Sequence, residues 1–330
     1  MRRTTFLILL IAILFILECF KSSFSQAGSF LWYWSFSSVP WLLLGLSAGI
    51  IIACGQLDVS SGSLISLLGM LVLLFTNMWN AATLSWLILP LVLLVAVGFG
   101  LVAARLITHL RVTPFIATLS LGFAYKSLAL ATFTFMHQAR PTNDGTASAH
   151  IKEYSMLVEP GFLTPLRSPA INLAIAFGTL LALHLWRQKT VSGLQHIALG
   201  LNPTGARLVG IRAEHVIAIA FTLASVLVGL ATFSFLLITH RGGWTASSGS
   251  GMELMAIAIA VLGGCHLSGG YFTPFGIALA AVLMQALKTF IFGFRFPPEM
   301  EYLILGVLII VIPLVERAAV RHRSPADSHN

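Results

Sequence analysis

Residues 51–70 read IIACGQLDVSSGSLISLLGM, which places the acidic residue Asp58 among serines and glycines, between two apolar segments. The whole chain of 330 residues is similarly apolar, with 57% hydrophobic residues, 9% charged residues and a mean hydropathy of +0.92. This composition lies far from that of soluble domains and predicts an integral membrane protein. An ionised acid near the centre of a bilayer costs roughly 2.5–3.5 kcal/mol unless it faces water or protein, so Asp58 requires an explanation.

Apolar runs of roughly 20 residues, the length that a helix needs to cross the hydrocarbon core, recur along the chain. They predict one all-α transmembrane domain over residues 1–330, with ten helices at about 5–20, 38–56, 61–78, 84–104, 113–135, 169–186, 215–238, 252–264, 273–291 and 300–315. The N-terminal segment also resembles a secretory signal peptide, with two arginines, an apolar core and small residues near its end. Cleavage of that segment is therefore an alternative to the first span.

The Lys and Arg residues predict the orientation, because cytoplasmic loops are enriched in them. With both termini in the cytoplasm, eleven of these residues fall on the inner side and seven on the outer side. Residues 187–214 then form the longest inner segment, and residues 136–168 the longest outer one. The formal net charge of +8 is explained by this topology. No nucleic-acid partner is expected, because the basic residues form no stripe.

Ten spans divide into two halves of five, and an odd number per half means that any internal repeat is inverted in the membrane. The tetrapeptide Ser-Ser-Gly-Ser occurs at 60–63, between spans two and three, and again at 247–250, between spans seven and eight. These are equivalent places in the two halves. Common ancestry, shared turn chemistry and chance all explain so short a match.

Asp58 has two interpretations. In one, Asp58, Ser60 and Ser61 cap the start of the third span, because their side-chain oxygens satisfy amides that hydrocarbon cannot. In the other, the segment interrupts the bilayer and lines a solute path. Glu253, at the start of the eighth span, has the same alternatives, since a negative charge is favourable at a helix N-terminus.

Four motifs, in order along the chain, resemble those of ribose-type ABC transporter permeases. Residues 55–63, GQLDVSSGS, are similar to the Gly-Gly-Ile-Asp-Leu-Ser-Val-Gly-Ser signature of that family, and residues 113–123, TPFIATLSLGF, to its Pro-x-Phe-Ile-x-Thr-Leu segment. Residues 200–211, GLNPTGARLVGI, resemble its Gly-Gly-Asn-Pro-x-Ala-Ala-Arg-x-x-Gly-Ile loop. Residues 252–270, MELMAIAIAVLGGCHLSGG, resemble its Glu-Leu-x-x-Ile-Ala stretch followed by Gly-Gly and Leu-Ser-Gly-Gly.

The resemblance implies a multi-pass permease in the bacterial inner membrane that imports a sugar or sugar-like solute. The implied partners are an ABC ATPase subunit, an extracytoplasmic solute-binding protein, a second permease copy or sister permease, and membrane lipid. The sequence contains no Gly-x-x-x-x-Gly-Lys-Ser/Thr loop to hold phosphates. We therefore expect a transport subunit that is not an enzyme and binds no cofactor, while its partner ATPase uses ATP.

The resemblance also implies two groups of functional residues. The substrate path or gate would comprise Asp58, Ser60, Gly62, Ser63, Phe115, Thr118 and Glu253. The loop that couples transport to the ATPase would comprise Asn202, Pro203, Ala206, Arg207 and Gly210. The chain departs from the family pattern at Gln56, Leu201, Cys265, His266 and Phe272, which leaves the identity of the solute open.

Several alternatives accompany these expectations. Asn202 and Pro203 can open a short helix that Gly210 closes, and Arg207 would then contact a partner or, alternatively, anionic lipid headgroups. An ion-coupled secondary carrier would also use broken helices and a membrane acid. An intramembrane enzyme would need a serine nucleophile with a histidine base, but no Gly-x-Ser-x-Gly arrangement is present. The ten histidines show no metal-binding pattern, so no metal site is expected.

Overall fold

The computed structural model describes residues 3–22, 27–78, 81–138, 168–238, 244–297 and 300–321. Every regular element in these ranges is an α-helix, as the composition predicts. The helices are α1 (Arg3–Ser22), α2 (Ala27–Ser37), α3 (Val39–Ala53), α4 (Ser61–Met78), α5 (Ala81–Thr108), α6 (Pro114–Gln138), α7 (Pro169–Lys189), α8 (Val191–Leu201), α9 (Pro203–Leu208), α10 (Ala213–Ile238), α11 (Met252–Leu262), α12 (Pro274–Gly293) and α13 (Met300–Arg321).

Five of the described helices are long and apolar enough to cross a membrane, by length and composition. They lie at Leu87–Thr108, Pro114–Met136, Pro169–Lys189, Ala213–Ile238 and Pro274–Gly293. The bent pair of α2 and α3, with an angle of 40° between them, raises this number to six if it forms one span. The arrangement of ten spans in two inverted halves stays a prediction. The predicted outer segment 136–168 lies mostly outside the described residues.

Helix α3 forms the centre of the molecule, and every one of its residues is buried. It packs against α10, α11 and α12, while α10 also packs against α5 and α4 packs against α6. At one end of α3, Lys288 of α12 pairs with Glu301 of α13 at 2.7 Å and lies 4.0 Å above the centre of the Trp41 ring. A helix that is apolar all round is expected to be surrounded by other helices, as α3 is.

The segment 187–214, which the sequence predicts to be on the inner side, is not an open loop, since it contains the two helices α8 and α9. The Thr190 side chain accepts a hydrogen bond from the Gly193 amide, at the start of α8. At its other end, α8 rests on the C-terminus of α3, because Gly200 lies against the Ala53 carbonyl and leaves no room for a Cβ atom. His196 strengthens the same contact, since its Nε2 lies 2.6 Å from the Ile50 carbonyl oxygen.

Candidate functional site

Asp58 lies in the non-helical segment that separates α3 from α4. Its Oδ1 atom accepts hydrogen bonds from the amide and the hydroxyl of Ser60, at 2.7 and 2.6 Å. This is a local turn in which an Asp side chain mimics the backbone. Among the described residues, the Asp58 side chain accepts from the amide of Ser60, the residue directly before α4, and from no amide within that helix. The carboxylate instead holds the bend from which α4 begins.

Thr118 of α6 fixes this bend from a second helix. Its Oγ1 accepts a hydrogen bond from the Val59 amide at 3.2 Å and donates one to the Pro114 carbonyl at 2.9 Å. Gly122, one turn further along α6, lies against Ser60 and Ser63. The structure therefore brings together four of the predicted path residues, Asp58, Ser60, Ser63 and Thr118.

The two Ser-Ser-Gly-Ser segments meet in space. A Cβ atom on Gly62 would overlap the Gly249 carbonyl and the Glu253 carboxylate, and a Cβ on Gly249 would overlap the Gly62 carbonyl. The Ser66 hydroxyl accepts a hydrogen bond from the Gly249 amide at 2.8 Å, and the Trp244 indole donates one to the Ser66 carbonyl at 3.4 Å. Residues 60–66 and 244–253 thus form a single contact, which we call the crossing.

Glu253 lies at this crossing, in the first turn of α11. Its Oε1 accepts a hydrogen bond from the Gly251 amide at 3.3 Å, which supports the helix-terminus interpretation. Its Oε2 is buried and has no hydrogen-bond partner among the described residues. Because a buried charged oxygen without a donor is costly, this atom requires an explanation. The solute-path interpretation of Glu253 stays a prediction.

The segment predicted to couple with an ATPase forms the short helix α9, as the sequence indicates. The Asn202 side chain accepts a hydrogen bond from the Gly205 amide at 2.9 Å, and Pro203 occupies the first turn. Gly210, with φ of 85°, ends the segment in a left-handed conformation. Ala206 is buried, whereas Arg207 is exposed. This geometry presents the guanidinium of Arg207 outward from a capped helix.

Phe115 is the one predicted path residue that lies outside the contacts just described. Its side chain is 51% exposed, and only its carbonyl lies near Thr118, at 3.4 Å from Oγ1. Conversely, sequence reasoning missed Ser66 and Trp244, which complete the crossing. Ser66 comes shortly after the first Ser-Ser-Gly-Ser motif and Trp244 shortly before the second. Nothing in the sequence indicates that these two residues are in contact. In the described ranges, no group of three or more His, Cys, Asp or Glu residues could hold a metal ion.

Comparisons with known proteins place these features in a wider context. A family model described as "Branched-chain amino acid transport system / permease component" matches residues 30–313. The chain is 28% identical to the galactofuranose transporter permease protein YtfT of Escherichia coli, over 84% of this chain and 77% of that protein. It is 25% identical to the fructose import permease protein FruG of Bifidobacterium longum, over 84% and 80%.

A third relative covers more of the chain. The autoinducer 2 import system permease protein LsrC of Yersinia enterocolitica is 28% identical over 94% of this chain and 81% of that protein. No solved structure matches the chain.

Proposed function

The chain belongs to the family of branched-chain amino acid transport system permease components, and from this premise we propose that it is the permease subunit of an ABC importer for a sugar or sugar-like solute. The observation that carries the proposal is the similarity over 84–94% of the chain to permeases named for galactofuranose, fructose and autoinducer 2. The family title names amino acids, but these relatives and the four sequence motifs favour a polyhydroxy solute.

The crossing and the bend at Asp58 that precedes it supply chemistry that suits such a solute. Ionised Asp58 and Glu253 would both be hydrogen-bond acceptors, and the Oε2 atom of Glu253 is buried without a donor among the described residues. Sugar hydroxyls are donors, and a hydrogen bond to a charged oxygen is roughly twice as strong as one between neutral groups. We infer that Asp58, Ser60, Gly62, Ser63, Phe115, Thr118 and Glu253 belong to the solute path or its gate.

The direct contact between the two Ser-Ser-Gly-Ser segments supports two inverted halves of five spans. Segments that begin from opposite sides of a bilayer and meet each other must meet within it, as in the broken helices of other transporters. We propose that both termini and residues 187–214 are cytoplasmic and that residues 136–168 are external. The protein would lie in the inner membrane of a bacterial cell.

We further propose that α9 transmits the motion of a separate ATPase subunit. Asn202, Pro203, Ala206 and Gly210 build the helix, and Arg207 makes the contact. Because α8, which precedes α9, is docked on α3 through Gly200 and His196, a displacement of α9 would reach the segment that contains Asp58. A second permease copy or a sister permease, together with an external solute-binding protein, would complete the importer.

Reconstituted vesicles test this function. We expect uptake of a labelled sugar to require the ATPase subunit, ATP and the binding protein, and to stop when the ATPase carries an inactivating substitution. The matched control applies a proton gradient to vesicles that contain the permease alone. Uptake under that gradient without ATP would instead identify an ion-coupled carrier, an alternative that the comparisons do not favour.

A further inference from the structure

A cavity of about 1140 Å³ opens at the end of the molecule that carries α9. Its walls come from the last turns of α5, the turn between α5 and α6, and the segment from α9 to the first turn of α10. Gln56 also lines it, so the cavity extends to within two residues of Asp58 along the chain. The cavity is separate from the crossing, because none of the residues that line it belongs to the crossing.

The cavity has a large excess of positive charge. Four arginines, two histidines and a single acidic residue line it: Arg105, Arg111, Arg207, Arg212, His109, His215 and Glu214. With neutral histidines, the four arginines and one glutamate leave a net charge of +3. Within the described residues, none of these guanidinium groups has a hydrogen bond or an ion pair. The donors of Arg105, Arg111 and Arg212 are therefore free to bind a ligand, whereas Arg207 also belongs to the proposed contact with the ATPase.

Backbone groups add to this positive potential. Helices α6 and α10 both begin at the cavity, at Pro114 and Ala213, so that the partial positive charges of two helix N-termini lie beside the arginines. Arg111, in the turn that precedes α6, has φ of 52°, in the left-handed region that residues other than glycine rarely adopt. Such backbone strain is concentrated at sites that hold ligands.

Attraction of arginines to the membrane surface does not by itself account for this arrangement. The enrichment of cytoplasmic loops in Lys and Arg concerns their number on one side of the membrane and does not require them to share one cavity. Here four of them converge, from two segments that are distant in sequence, on one concave surface with two helix N-termini. The planar guanidinium group forms paired hydrogen bonds with phosphate oxygens, which suits such a convergence.

We propose that this cavity binds a phosphate-ester anion. Two sources carry the same chemistry, namely a soluble sugar phosphate and the headgroup of an anionic phospholipid. Because Arg207 contributes both to the cavity and to the coupling helix α9, an anion bound there would alter the position of α9. The site would thus let a phosphate compound on that side of the membrane regulate transport. Anion binding itself does not depend on which solute is imported.

The test measures binding to the purified permease, both alone and assembled with its ATPase subunit. Glucose 6-phosphate is titrated into delipidated protein by calorimetry, and thermal unfolding is compared in nanodiscs with and without phosphatidylglycerol. The variant is the double substitution Arg105→Gln and Arg212→Gln, with both single substitutions beside it. The control is Lys189→Gln, an exposed basic residue in the same inner segment as Arg207 that does not line the cavity.

We expect the double variant to lose affinity for glucose 6-phosphate, or stabilisation by phosphatidylglycerol, by about tenfold or more, because bidentate contacts to phosphate are lost. The control should stay within about twofold, and added salt should weaken binding to the wild type. A response to glucose 6-phosphate identifies a soluble ligand, and a response to phosphatidylglycerol alone identifies a lipid.

Three results would overturn the proposal. The first is that wild-type protein responds to neither probe. The second is that the double variant responds as the wild type does. The third is that assembly with the ATPase subunit abolishes the response of the wild-type permease to both probes, which would make the cavity a protein-docking surface. Since binding is measured without transport, a failure of sugar uptake would leave these results unaffected.

Discussion

The crossing and the end of the molecule around α9 are built in opposite ways. At the crossing, Gly62 and Gly249 bring two backbones together with no space for a side chain, and Ser66 and Trp244 are engaged in hydrogen bonds across the contact. Around α9, by contrast, Arg207, Leu208 and Val209 are exposed, the last two by 84% and 78%. The crossing is therefore tightly packed within the chain, whereas the side chains around α9 are exposed.

This difference indicates what each region does. Small residues at the crossing fix a backbone geometry, because closely packed interiors tolerate little added volume. Exposed charged and apolar side chains around α9 have no such internal task and are available to other molecules. Substitutions at the crossing should therefore act through the structure of this chain. Those at α9 should act through its partners.

The largest effect is expected at the crossing itself. In Gly62→Ala or Gly249→Ala, the new Cβ overlaps backbone carbonyl oxygens, which cannot move aside as a flexible side chain can. We expect a loss of roughly 3 kcal/mol in stability, at the upper end of overpacking costs, and little transport. Gly178→Ala is the control, because nothing lies within 4 Å of its added Cβ. Thermal unfolding in detergent gives the comparison, and equal melting temperatures for all three variants would contradict the structure.

Arg207→Glu should have the next largest effect, on coupling rather than on folding. The residue is exposed and has no hydrogen bond or ion pair within the described part of the chain, so the variant should insert and fold normally. Reversal of a charge at a protein contact is expected to lower ATP-driven uptake by about tenfold or more. Lys189→Glu is the control, at another exposed position of the segment 187–214. Normal uptake by the Arg207 variant would leave that residue as a lipid anchor.

Much of the open region could be predicted from sequence, whereas the contact at the crossing could not. Asn202 and Pro203 are residue types that favour the start of a helix, and α9 begins where the sequence predicts. The four motifs likewise indicated a sugar-type permease, which the comparisons confirm. The two Ser-Ser-Gly-Ser segments, however, lie 187 positions apart. Their similarity indicated that they occupy equivalent places in the two halves of the chain. It did not predict that they touch, because a contact between distant segments depends on tertiary packing.

The short helices were missed for a different reason. Helices α2 and α8 have 11 residues each, too few to cross a bilayer as a single helix. Their apolar residues were therefore assigned to the loops between spans. Burial of α8 depends on Gly200, which lies against Ala53 of α3. A lone glycine in a sequence does not reveal which backbone approaches it.

Substitutions of Asp58, in the bend just before the crossing, distinguish a structural role of this residue from a functional one. In Asp58→Asn the side-chain oxygen can still accept the hydrogen bonds from Ser60, so the turn and the fold should be preserved. The charge is lost, and we expect uptake to fall by about fivefold to tenfold, because charge-assisted hydrogen bonds are the stronger ones. Uptake per inserted transporter should be compared for Asp58→Asn and Asp58→Ser. Wild-type transport by both would make Asp58 a turn former only.

The smallest effect concerns the joint between the two regions, where His196 of α8 contacts α3. This helix is not among the candidate spans, and burial lowers the pKa of His196 from 6.5 to about 4. Its Nε2 donates to the Ile50 carbonyl, while its Nδ1 has no partner among the described residues, so protonation would place a charge in an apolar site.

Because the pKa of His196 is lower in the folded protein than in the unfolded chain, its contribution to stability is complete above about pH 6.5 and is lost as the pH falls towards 4. At pH 5.5 this loss amounts to about 1.4 kcal/mol. In His196→Gln the carboxamide can still donate to the carbonyl but does not titrate in this range. The melting temperature of this variant should therefore fall less between pH 7.5 and 5.5 than that of the wild type. His215→Gln, at an exposed position, is the control. An identical fall for all three proteins would show that protonation of His196 does not loosen the joint through which α9 reaches α3.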